Sequence, residues 1–525
     1  MTRTAAELGA GLAPARDPRQ IRPGERIHIL GIAGAGASAA ALLAKAAGAI
    51  VTGCDPGGPS PYTRALEAAR IPIEWSHNAA HVGVKPPPDR LAVTKALTAI
   101  SPDHPELQAA RARGIPVESW QQVVADAAVG RDVAAVAGTH GKSTTSGWLT
   151  WLLAEAGDDP SAFVGALLPA ALTGNVPATA RLGHGAPFVI EADEYAGNFD
   201  PYRPAVAVVT TVEWDHPDVF ADRAAVIDAF AAWLDRVPGA TIVANLDDAG
   251  VRDLLGVVER RGGRTGEVIG FSAGSGAAVE VRAGIKAVGP GAGARPTAAP
   301  AVVVDRQLSA CIVERSPSGT VIDIDGLADG MRRVHLPTVG DHNVVNGMGA
   351  LGAAIALGGA EPDRLLWALG TFPGIGRRLE RKGEARGVVV YDDYGHHPTA
   401  IRATLAALRE REPGRRVWAV YEPLTFHRTA AMLDAFADAL AEADAVAIAD
   451  IWASRDPDTL ITSPGALAAA VRQRRPGMTA YAPGSVEATA AWLAQEVREG
   501  DAVLVMGGGK SYRIAELLVE GLQGS

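Results

Sequence analysis

The 525-residue chain has few cysteines, few charged residues and no long apolar run. Its two cysteines, Cys54 and Cys311, are too few and too far apart to indicate a disulfide framework or a zinc site, so we expect free buried thiols in a reducing compartment. The N-terminal segment 1–22 has arginines but no continuous apolar stretch, and no segment approaches the ~18 apolar residues of a membrane span. We therefore predict a cytoplasmic protein with no membrane insertion.

Composition and charge narrow the class of protein further. Hydrophobic residues make up 48% of the chain and charged residues 21%, which is typical of a folded protein and excludes a disordered one. The formal net charge of −10 argues against nucleic acid as a partner, although local basic sites can still bind phosphates. A chain of this length is too long for one hydrophobic core, so we expect two to four domains.

The most informative stretch joins an apolar strand at 132–137 to a helix that begins near Ser143. A strand, a glycine-bearing loop and a helix N-terminus together form a phosphate site, in which backbone amides face the anion. Lys142 would reach the terminal phosphates and the Ser143 hydroxyl would hold Mg²⁺. An ordinary strand-to-helix turn is the alternative. The residues of the loop are Gly138, Thr139, His140, Gly141, Lys142, Ser143 and Thr144.

A second glycine-rich turn lies near the N-terminus. A strand at 26–31 leads into Gly31, Gly34 and Gly36, and a second strand ends at Asp55. Glycines let a phosphate approach the helix start, and an acidic residue about 20 positions further on can accept a ribose hydroxyl. A turn of this kind is a weak signal alone, but the chain carries a separate ATP-type loop, so this one would serve a different phosphorylated ligand. By its position alone, His77 is a loop residue.

Polar residues follow two further apolar strands, near 188–192 and 205–212, at the carboxyl end of each strand. Glu191 and Glu194 follow the first strand, and His216 follows the second. Ligands bind at this edge of a parallel α/β sheet, so Lys142, Ser143, Glu191 and His216 could converge on one nucleotide and its Mg²⁺. Imidazole is a less usual ligand for so hard a cation. Turn capping by the glutamates and a loop role for His216 are the alternatives.

The C-terminal third alternates strands and helices again, after a predicted hinge at 372–376. Asn343 and Asn346 lie three residues apart on a helix, so they share one face and could read an adenine edge, although caps are the commoner role for asparagines there. His396 and Arg428 follow later strands, where a cationic or imidazole rim suits carboxylate or phosphate recognition. Solvated rim residues would look similar.

These patterns predict an α/β protein of three domains: a Rossmann-like N-terminal domain, a central P-loop ATPase-type domain and a Rossmann-like C-terminal domain. The expected ranges are 20–128, 129–370 and 371–525. A stretch rich in Gly, Ala and Pro at 273–300 is expected to be an extended insertion or a poorly ordered loop. Beside it, the apolar runs at 301–304 and 320–324 predict a small antiparallel β element.

Taken in order, the motifs resemble the signatures of the Mur ligases, which build the peptide stem of peptidoglycan in the bacterial cytoplasm. The resemblance covers residues 27 to about 512. The matching motifs are the loop at 138–145, Glu191–Glu194, Asp215–His216, His342 to Asn346, Arg377–Arg378 and Tyr391 to Pro398.

The resemblance implies a role for each matching residue. The uridine diphosphate end of a nucleotide sugar would lie against Gly31, Gly34, Gly36 and Asp55, with His77 among the substrate-binding residues. The loop 138–144 would hold ATP. The implied metal ligands are Ser143, Glu191 and His216. The implied contacts to adenine are His342, Asn343 and Asn346. Arg377 would reach a phosphate, and the residues that bring nucleotide and amino acid together would be Asp393, Tyr394, His396 and Arg428. In these roles Lys142, His216, Arg377 and His396 would be catalytic.

The implied reaction is ATP- and Mg²⁺-dependent amide formation between UDP-N-acetylmuramate and an amino acid, L-alanine first, through an acyl phosphate. Its place would be peptidoglycan synthesis, and hence cell shape and division. Glu422-Pro423-Leu424 departs from the Gln-Pro-His of the alanine-adding members. It resembles a member that reattaches a recycled tripeptide, L-Ala-γ-D-Glu-diaminopimelate, which is the alternative acceptor. A catalytically silent nucleotide-binding protein is a third possibility. We expect a monomer or homodimer.

Overall fold

The computed structural model describes residues 4–101, 103–274, 279–281, 302–453, 456 and 458–524. It is a mixed α/β structure with three main sheets, which use residues 26–119, 132–336 and 380–507. Each sheet belongs to one of three consecutive domains, as the sequence predicted. Among the described residues, no helix is both long and apolar enough to cross a membrane.

The N-terminal domain contains a five-stranded parallel sheet in the order β3-β2-β1-β4-β5. Apolar residues on both faces fit a sheet that helices cover on both sides. The strands are β1 (Arg26–Leu30), β2 (Ile50–Cys54), β3 (Ile73–Glu74), β4 (Arg90–Val93) and β5 (Val117–Ser119). The helices are α1 (Ala5–Leu8), α2 (Ala35–Ala46), α3 (Thr63–Ala68), α4 (Ala80–Gly83), α5 (Lys95–Ile100), α6 (Pro105–Ala112) and α7 (Trp120–Ala127).

The middle domain contains a ten-stranded mixed sheet in the order β17-β16-β15-β12-β11-β10-β6-β9-β7-β8. Its strands are β6 (Asp132–Ala137), β7 (Ser161–Leu168), β8 (Ala178–Arg181), β9 (Pro187–Ala192), β10 (Val206–Val209), β11 (Thr241–Asn245), β12 (Val268–Ser272), β15 (Arg306–Ser316), β16 (Gly319–Asp325) and β17 (Arg332–Leu336), with β13 (Val279–Val281) and β14 (Val302–Val304) forming a separate pair. Its helices are α8 (Lys142–Ala156), α9 (Ala170–Thr173), α10 (Arg223–Leu234), α11 (Ala249–Arg261), α12 (Asp341–Leu357) and α13 (Pro362–Leu369).

The C-terminal domain has a six-stranded sheet in the order β18-β19-β23-β20-β21-β22, parallel except for the edge strand β18. Its strands are β18 (Glu380–Ala385), β19 (Val388–Asp393), β20 (Arg416–Glu422), β21 (Ala445–Ala449), β22 (Thr479–Gly484) and β23 (Asp501–Gly507). Its helices are α14 (Pro398–Arg411), α15 (Phe426–Ala431), α16 (Leu433–Leu440), α17 (Pro464–Arg474), α18 (Val486–Glu496) and α19 (Ser511–Gly524).

Two details differ from the expectations. The run at 302–304 pairs in parallel with Val279–Val281, so it is not antiparallel, whereas β16 does lie in an antiparallel meander that extends the main sheet. Cys54 is buried as expected, but Cys311 is exposed, because it lies on β15 where that strand's outer face meets solvent. Most of the predicted insertion at 273–300 lies outside the described residues.

Candidate active site

The phosphate loop lies at the centre of the large sheet, because β6 runs between β10 and β9. Gly138 follows β6, and α8 begins at Lys142 with Thr144 buried in its first turn. The segment after β10 fixes the loop: Thr139 N–H donates to Thr211 O (2.9 Å), and His140 N–H donates to Thr211 Oγ1 (2.8 Å). The strand, turn and helix are therefore those that the sequence predicted.

Gly141 shows why this turn needs glycine. Its φ is +81°, and a Cβ there would lie 2.4 Å from Oδ1 of Asn346 on α12. The left-handed conformation and the close approach both exclude a side chain. Asn346 also lies 3.3 Å from the Thr145 hydroxyl, and Asn343 donates to Val339 O (2.8 Å). The predicted base-reading helix therefore packs directly on the loop.

The half-buried Lys142 lies among carboxylates. Its Nζ donates to Glu194 Oε2 (2.9 Å) and to Gly138 O (2.6 Å), and it lies 3.5 Å from Asp193 Oδ1. Burial opposes the charge of Lys142, but Glu194 and Asp193 hold its pKa above the ordinary value. Burial also raises the pKa of Glu194 to about 7, against the attraction of Lys142. A bound polyphosphate would take the place of these carboxylates as the partner of the Lys142 ammonium group.

Ser143 and Glu191 fit one edge of a Mg²⁺ coordination sphere. The Ser143 hydroxyl donates to Glu191 Oε1 (2.9 Å), and Gly165 N–H donates to Oε2 (2.6 Å), which orients the carboxylate. Adjacent ligands of an octahedral Mg²⁺ at about 2.1 Å are about 3.0 Å apart, and both atoms are oxygens, as Mg²⁺ requires. The predicted pair is therefore suited to the metal in chemistry and in spacing.

His216 belongs to a neighbouring group of ligands. Its Nε2 lies 3.8 Å from Glu194 Oε1, and Asp193, Glu194 and His216 each offer an atom within 4.8 Å of the others. The structure thus brings Lys142, Glu191 and His216 to one edge of the sheet. It pairs Ser143 with Glu191, however, and His216 with Glu194.

The C-terminal domain supplies the other wall of this site. Arg428 is 2% exposed, and its Nη2 lies 2.7 Å from Asp215 Oδ1 and 3.1 Å from His216 Nδ1. Although Asp215 is buried, Arg428 holds its pKa well below the ordinary value. The Nε and Nη1 groups of Arg428 are buried without a hydrogen-bond partner among the described residues. A guanidinium with spare donors at this position suits a carboxylate ligand.

His396 and His397 begin the turn after β19. Burial and the charge of Arg428 lower the pKa of His396 well below its usual value. Burial, and then the nearby His140, lower the pKa of His397 to about 4. Both imidazoles are therefore neutral at neutral pH. The His397 and His140 rings lie 4.5 Å apart across the boundary between the two domains.

Arg377 and Arg378 are adjacent but have different contacts, which the sequence alone did not distinguish. Arg377 is buried in the C-terminal domain, where it contacts Asp392 (3.0 Å), Gly507 O and Ser511 Oγ (both 2.8 Å). Arg378 instead crosses to the middle domain and donates to Ser143 Oγ (2.8 Å). The predicted reach to the phosphate loop is made by Arg378, which the sequence analysis did not single out. The motif contained both residues, and the positive φ of Arg377 (+59°) turns their side chains in different directions.

The remaining predicted residues, from the C-terminal domain and from α12 of the middle domain, lie close by. Asp393 accepts from Leu379 N–H (2.8 Å) and Gly395 N–H (2.7 Å), so it holds the arginine-bearing turn against β19. The Tyr394 ring lies 5.1 Å from the Arg377 guanidinium carbon and 5.2 Å from that of Arg378. Burial lowers the pKa of the half-buried His342, although Asp393 favours its charge.

The N-terminal glycine turn has the predicted form. Gly34 N–H donates to Gly31 O (3.1 Å), and Asp55 accepts from Ala33 N–H (3.1 Å), so the carboxylate closes the turn from within. Gly36 has a packing reason as well, because a Cβ there would lie 2.2 Å from the Trp120 ring. His77 lies apart from the turn, among the titratable side chains beside Cys54.

Among the described residues, four of the nine non-glycine residues with positive φ lie where the middle and C-terminal domains meet. His216, Arg377, Leu379 and Thr425 all have positive φ values, between +46° and +62°. Non-glycine residues in this region are uncommon and cluster at functional sites, where packing holds them in place. We call the group formed by Lys142, Ser143, Glu191, Glu194, His216 and Arg428 the seam cluster, because it lies where the middle and C-terminal domains meet.

The fold and the seam cluster define a class: a multidomain nucleotide-dependent enzyme whose phosphate loop is closed by cations from a second domain. Family models agree domain by domain. The description "Mur ligase family, catalytic domain" matches residues 26–131, "Mur ligase middle domain" matches 136–354, and "Mur ligase, glutamate ligase domain" matches 377–509.

Known proteins give the same result over the full length. A UDP-N-acetylmuramate–L-alanine ligase from Kineococcus radiotolerans is 40% identical, covering 92% of this chain and 93% of its own length. A crystal structure of a murein peptide ligase from Psychrobacter arcticus matches with a TM-score of 0.68 and 26% identity, covering 96% and 99%. A UDP-N-acetylmuramate-alanine ligase from Thermotoga maritima shares the fold, with a TM-score of 0.72, 22% identity and coverage of 95% and 99%. The chain belongs to the Mur ligase family, and it is an ATP-dependent ligase that forms amide bonds.

Proposed function

We propose that this chain activates the carboxylate of UDP-N-acetylmuramate with ATP and joins it to L-alanine, in the cytoplasm, as a step of peptidoglycan synthesis. The observation that carries the proposal is the contact between Arg378 and Ser143, since it places a C-terminal cation on the phosphate loop. The 40% identical relative is named for the same substrates.

In the first step, a carboxylate oxygen of the sugar attacks the γ-phosphorus of ATP, and ADP leaves. Negative charge spreads over the transferring phosphoryl group, and fixed cations stabilise it. Lys142 and Arg378 are the side chains in position to do so, and the amides of the loop 138–141 bind the adjacent phosphates. Mg²⁺, held by Ser143 and Glu191, would supply further charge neutralisation between the phosphates.

In the second step, the amine of L-alanine attacks the acyl carbon, phosphate leaves and the nitrogen loses a proton. Arg428 is suited to the alanine carboxylate, because two of its donor groups are buried and free of other hydrogen bonds among the described residues. His396, held neutral by burial and by Arg428, could accept the amine proton. Closure of the C-terminal domain over the loop would exclude water, which otherwise hydrolyses the acyl phosphate.

The remaining ligand assignments follow the same plan. The turn with Gly31, Gly34, Gly36 and Asp55 would bind the uridine diphosphate, and His342, Asn343 and Asn346 would lie at the adenine. The proposed site uses residues of one chain, so we propose that the protein acts as a monomer or a homodimer.

The test is ADP release by the purified chain with UDP-N-acetylmuramate, ATP, Mg²⁺ and single amino acids. We expect release that depends on L-alanine and on the nucleotide sugar together, with product of the corresponding mass. No ADP release with L-alanine, while L-Ala-γ-D-Glu-diaminopimelate supports it, would replace the proposal with the tripeptide-recycling reaction. ATP binding without turnover on either acceptor would leave a silent nucleotide-binding protein.

The tripeptide acceptor has one feature in its favour, the departure at Glu422-Pro423-Leu424. Glu422, however, faces the C-terminal sheet edge, where its carboxylate accepts from Ser511 N–H (2.7 Å). It is 4% exposed and holds the turn after β23. This residue therefore has a structural reason of its own, and the departure gives little support to the alternative.

A further inference from the structure

A second cluster of titratable side chains lies in the N-terminal domain, away from the phosphate loop. It gathers residues from β1, β2, the segment after β3, α4 and the start of α6. We call it the N-terminal cluster. Its members are His28, Cys54, His77, His81, His104 and Glu106. Cys54 and Glu106 are fully buried, and His28 is 3% exposed.

Four of these side chains meet at one point. Glu106 lies 3.3 Å from His28 Nε2, 3.3 Å from His81 Nδ1 and 3.3 Å from Cys54 Sγ, measured to its nearer carboxylate oxygen in each case. The potential ligand atoms of all four residues lie within 4.8 Å of one another. They come from four different elements, so the fold alone brings them together.

These distances suit a shared metal ion better than direct pairing. Charge-assisted N–H···O bonds are about 2.7–2.9 Å long, shorter than the two histidine contacts here. Ligands bound tetrahedrally to zinc at about 2.0–2.3 Å are about 3.3–3.8 Å apart. The contacts of His81 and Cys54 share Oε1 of Glu106 and have the length of two edges of such a tetrahedron, and His28 lies at the same distance from Oε2.

Neighbouring groups orient the ligands as they do in metal sites. Thr52 Oγ1 lies 2.8 Å from Nδ1 of His28, which turns Nε2 toward Glu106. Asn78 N–H donates to Glu106 Oε1 (2.9 Å), so Oε2 faces His28 and lies 3.5 Å from Cys54 Sγ. Hydrogen bonds of this kind fix the tautomer and direction of metal-binding side chains.

The charges of the N-terminal cluster also favour a bound metal ion. None of its six members is a lysine or arginine, yet it buries a carboxylate and a thiol. Elsewhere in the same domain, the buried carboxylates of Glu25 and Asp126 are paired with Arg90. Burying an anionic group without a balancing charge is costly, and here either a protonated imidazole or a bound metal ion would supply that charge; a metal ion uses the buried thiol as well.

We propose that His28, Cys54, His81 and Glu106 form a tetrahedral site for one transition-metal ion of the zinc class. Two imidazoles, a thiolate and a carboxylate are ligands that zinc accepts and Mg²⁺ does not favour. Four protein ligands leave no open position, so the site is structural: it ties β1, β2, α4 and α6 together. Binding deprotonates the Cys54 thiol, and the proton goes to solvent.

The site adjoins the N-terminal glycine turn. The carbonyl of Cys54 accepts from Gly31 N–H (2.9 Å), and the next residue, Asp55, closes that turn. Removing the metal should therefore loosen the turn as well as the domain. The inference itself depends only on the four ligands, and it stands or fails separately from the proposed function.

The test uses the full chain, freed of metal with a chelator and then titrated with Zn²⁺ or Co²⁺ in excess Mg²⁺, which occupies oxygen-rich sites. We expect one zinc per chain after gel filtration. We also expect the Co²⁺ form to show tetrahedral d–d bands together with a thiolate-to-cobalt charge-transfer band. Cys54→Ser should abolish the charge-transfer band, and His81→Gln should weaken zinc binding. Thr52→Val, which keeps every ligand, should weaken binding about 10- to 100-fold.

Matched controls are Cys311→Ser and His335→Gln, both at exposed positions far from the cluster in sequence. They should leave stoichiometry and spectrum unchanged. If a ligand variant fails to fold by circular dichroism, alkylation of the wild-type chain decides: zinc should protect Cys54, identified by mass spectrometry, and leave Cys311 reactive. Failure of the wild-type chain to retain zinc, a charge-transfer band that survives Cys54→Ser, or equal alkylation of Cys54 with and without zinc would overturn the proposal.

Discussion

The seam cluster and the N-terminal cluster both bury titratable side chains at the ends of parallel strands, but they balance charge differently. The seam cluster sets Lys142 and Arg428 against carboxylates, and its oxygen donors, Ser143 and Glu191, suit a hard cation. The N-terminal cluster has imidazoles and a thiol around one carboxylate and no lysine or arginine among its members. Its donors suit a softer metal.

The difference separates a site for turnover from a site for stability. Salt bridges that exchange partners can admit a polyphosphate and release it again, which a reaction cycle requires. A closed set of four ligands holds one ion permanently. Removing a charged side chain from the first site, or probing a buried neutral group, tests this difference.

The largest expected effect comes from the two adjacent arginines. Arg377→Ala leaves the buried Asp392 unpaired, so the free energy of unfolding of the C-terminal domain should fall by about 3–5 kcal/mol. Arg378→Ala should leave stability nearly unchanged and slow ADP release about 10- to 100-fold, since a hydrogen bond to a charged group contributes about 1.5–3 kcal/mol. Urea denaturation and the ADP assay on both variants check this, and the reverse assignment would contradict the geometry.

Lys142→Ala should slow ADP release about 10²–10³-fold, as expected for loss of one group that stabilises transition-state charge. Lys45→Ala is the matched control, because among the described residues that ammonium group bonds to backbone carbonyls alone, on the surface of the N-terminal domain. Steady-state rates of both variants measure the effect. If the Lys142→Ala enzyme released ADP at a rate within about tenfold of the wild-type rate, the seam cluster would have no essential part in the reaction.

His397 provides a pH test of the domain boundary. Its pKa is about 4 when folded and 6.5 ordinarily, so the unfolded chain binds the extra proton between these values. Stability contributed by neutral His397 is therefore complete above pH 6.5 and is lost as the pH falls toward 4, by up to about 1.4 kcal/mol per pH unit. His397→Gln should flatten urea-derived stability in that window, whereas His184→Gln, at an exposed position, should not.

The smallest expected effect is a difference between the two cysteine thiols in their reaction with a thiol reagent. Cys54 is fully buried, and burial raises the pKa of its thiol above the ordinary value, whereas Cys311 is exposed. The thiolate is the reactive form, so in the metal-free native chain a thiol reagent should modify Cys311 rapidly and Cys54 much more slowly, and after denaturation it should modify both rapidly. Rapid modification of both cysteines in the native chain would show that the N-terminal cluster is open to solvent.

Local sequence predicted the phosphate loop well. The strand at 132–137 has the predicted bounds, and α8 begins one residue before Ser143. A buried strand, a glycine turn and a helix start are all encoded within a dozen neighbouring residues. The meeting of Glu191 and His216 with this loop was also predictable, because the carboxyl ends of parallel strands share one edge of the sheet.

Other features could not be predicted from local patterns. Which of Arg377 and Arg378 faces the loop depends on a left-handed backbone conformation at Arg377. The run at 302–304 fits either strand direction, and only its pairing with Val279–Val281 decided it. The N-terminal cluster has no motif spacing, because its members come from separate elements, so counting cysteines gave no sign of it.

The sequence by itself determined the phosphate loop, the alternation of strands and helices and the family, because these depend on short-range periodicity and on motifs in a fixed order. Only the tertiary structure decided which cations reach the loop and which five side chains gather beside Cys54. Those contacts join residues far apart in the chain, and their geometry depends on how strands, turns and domains pack against one another.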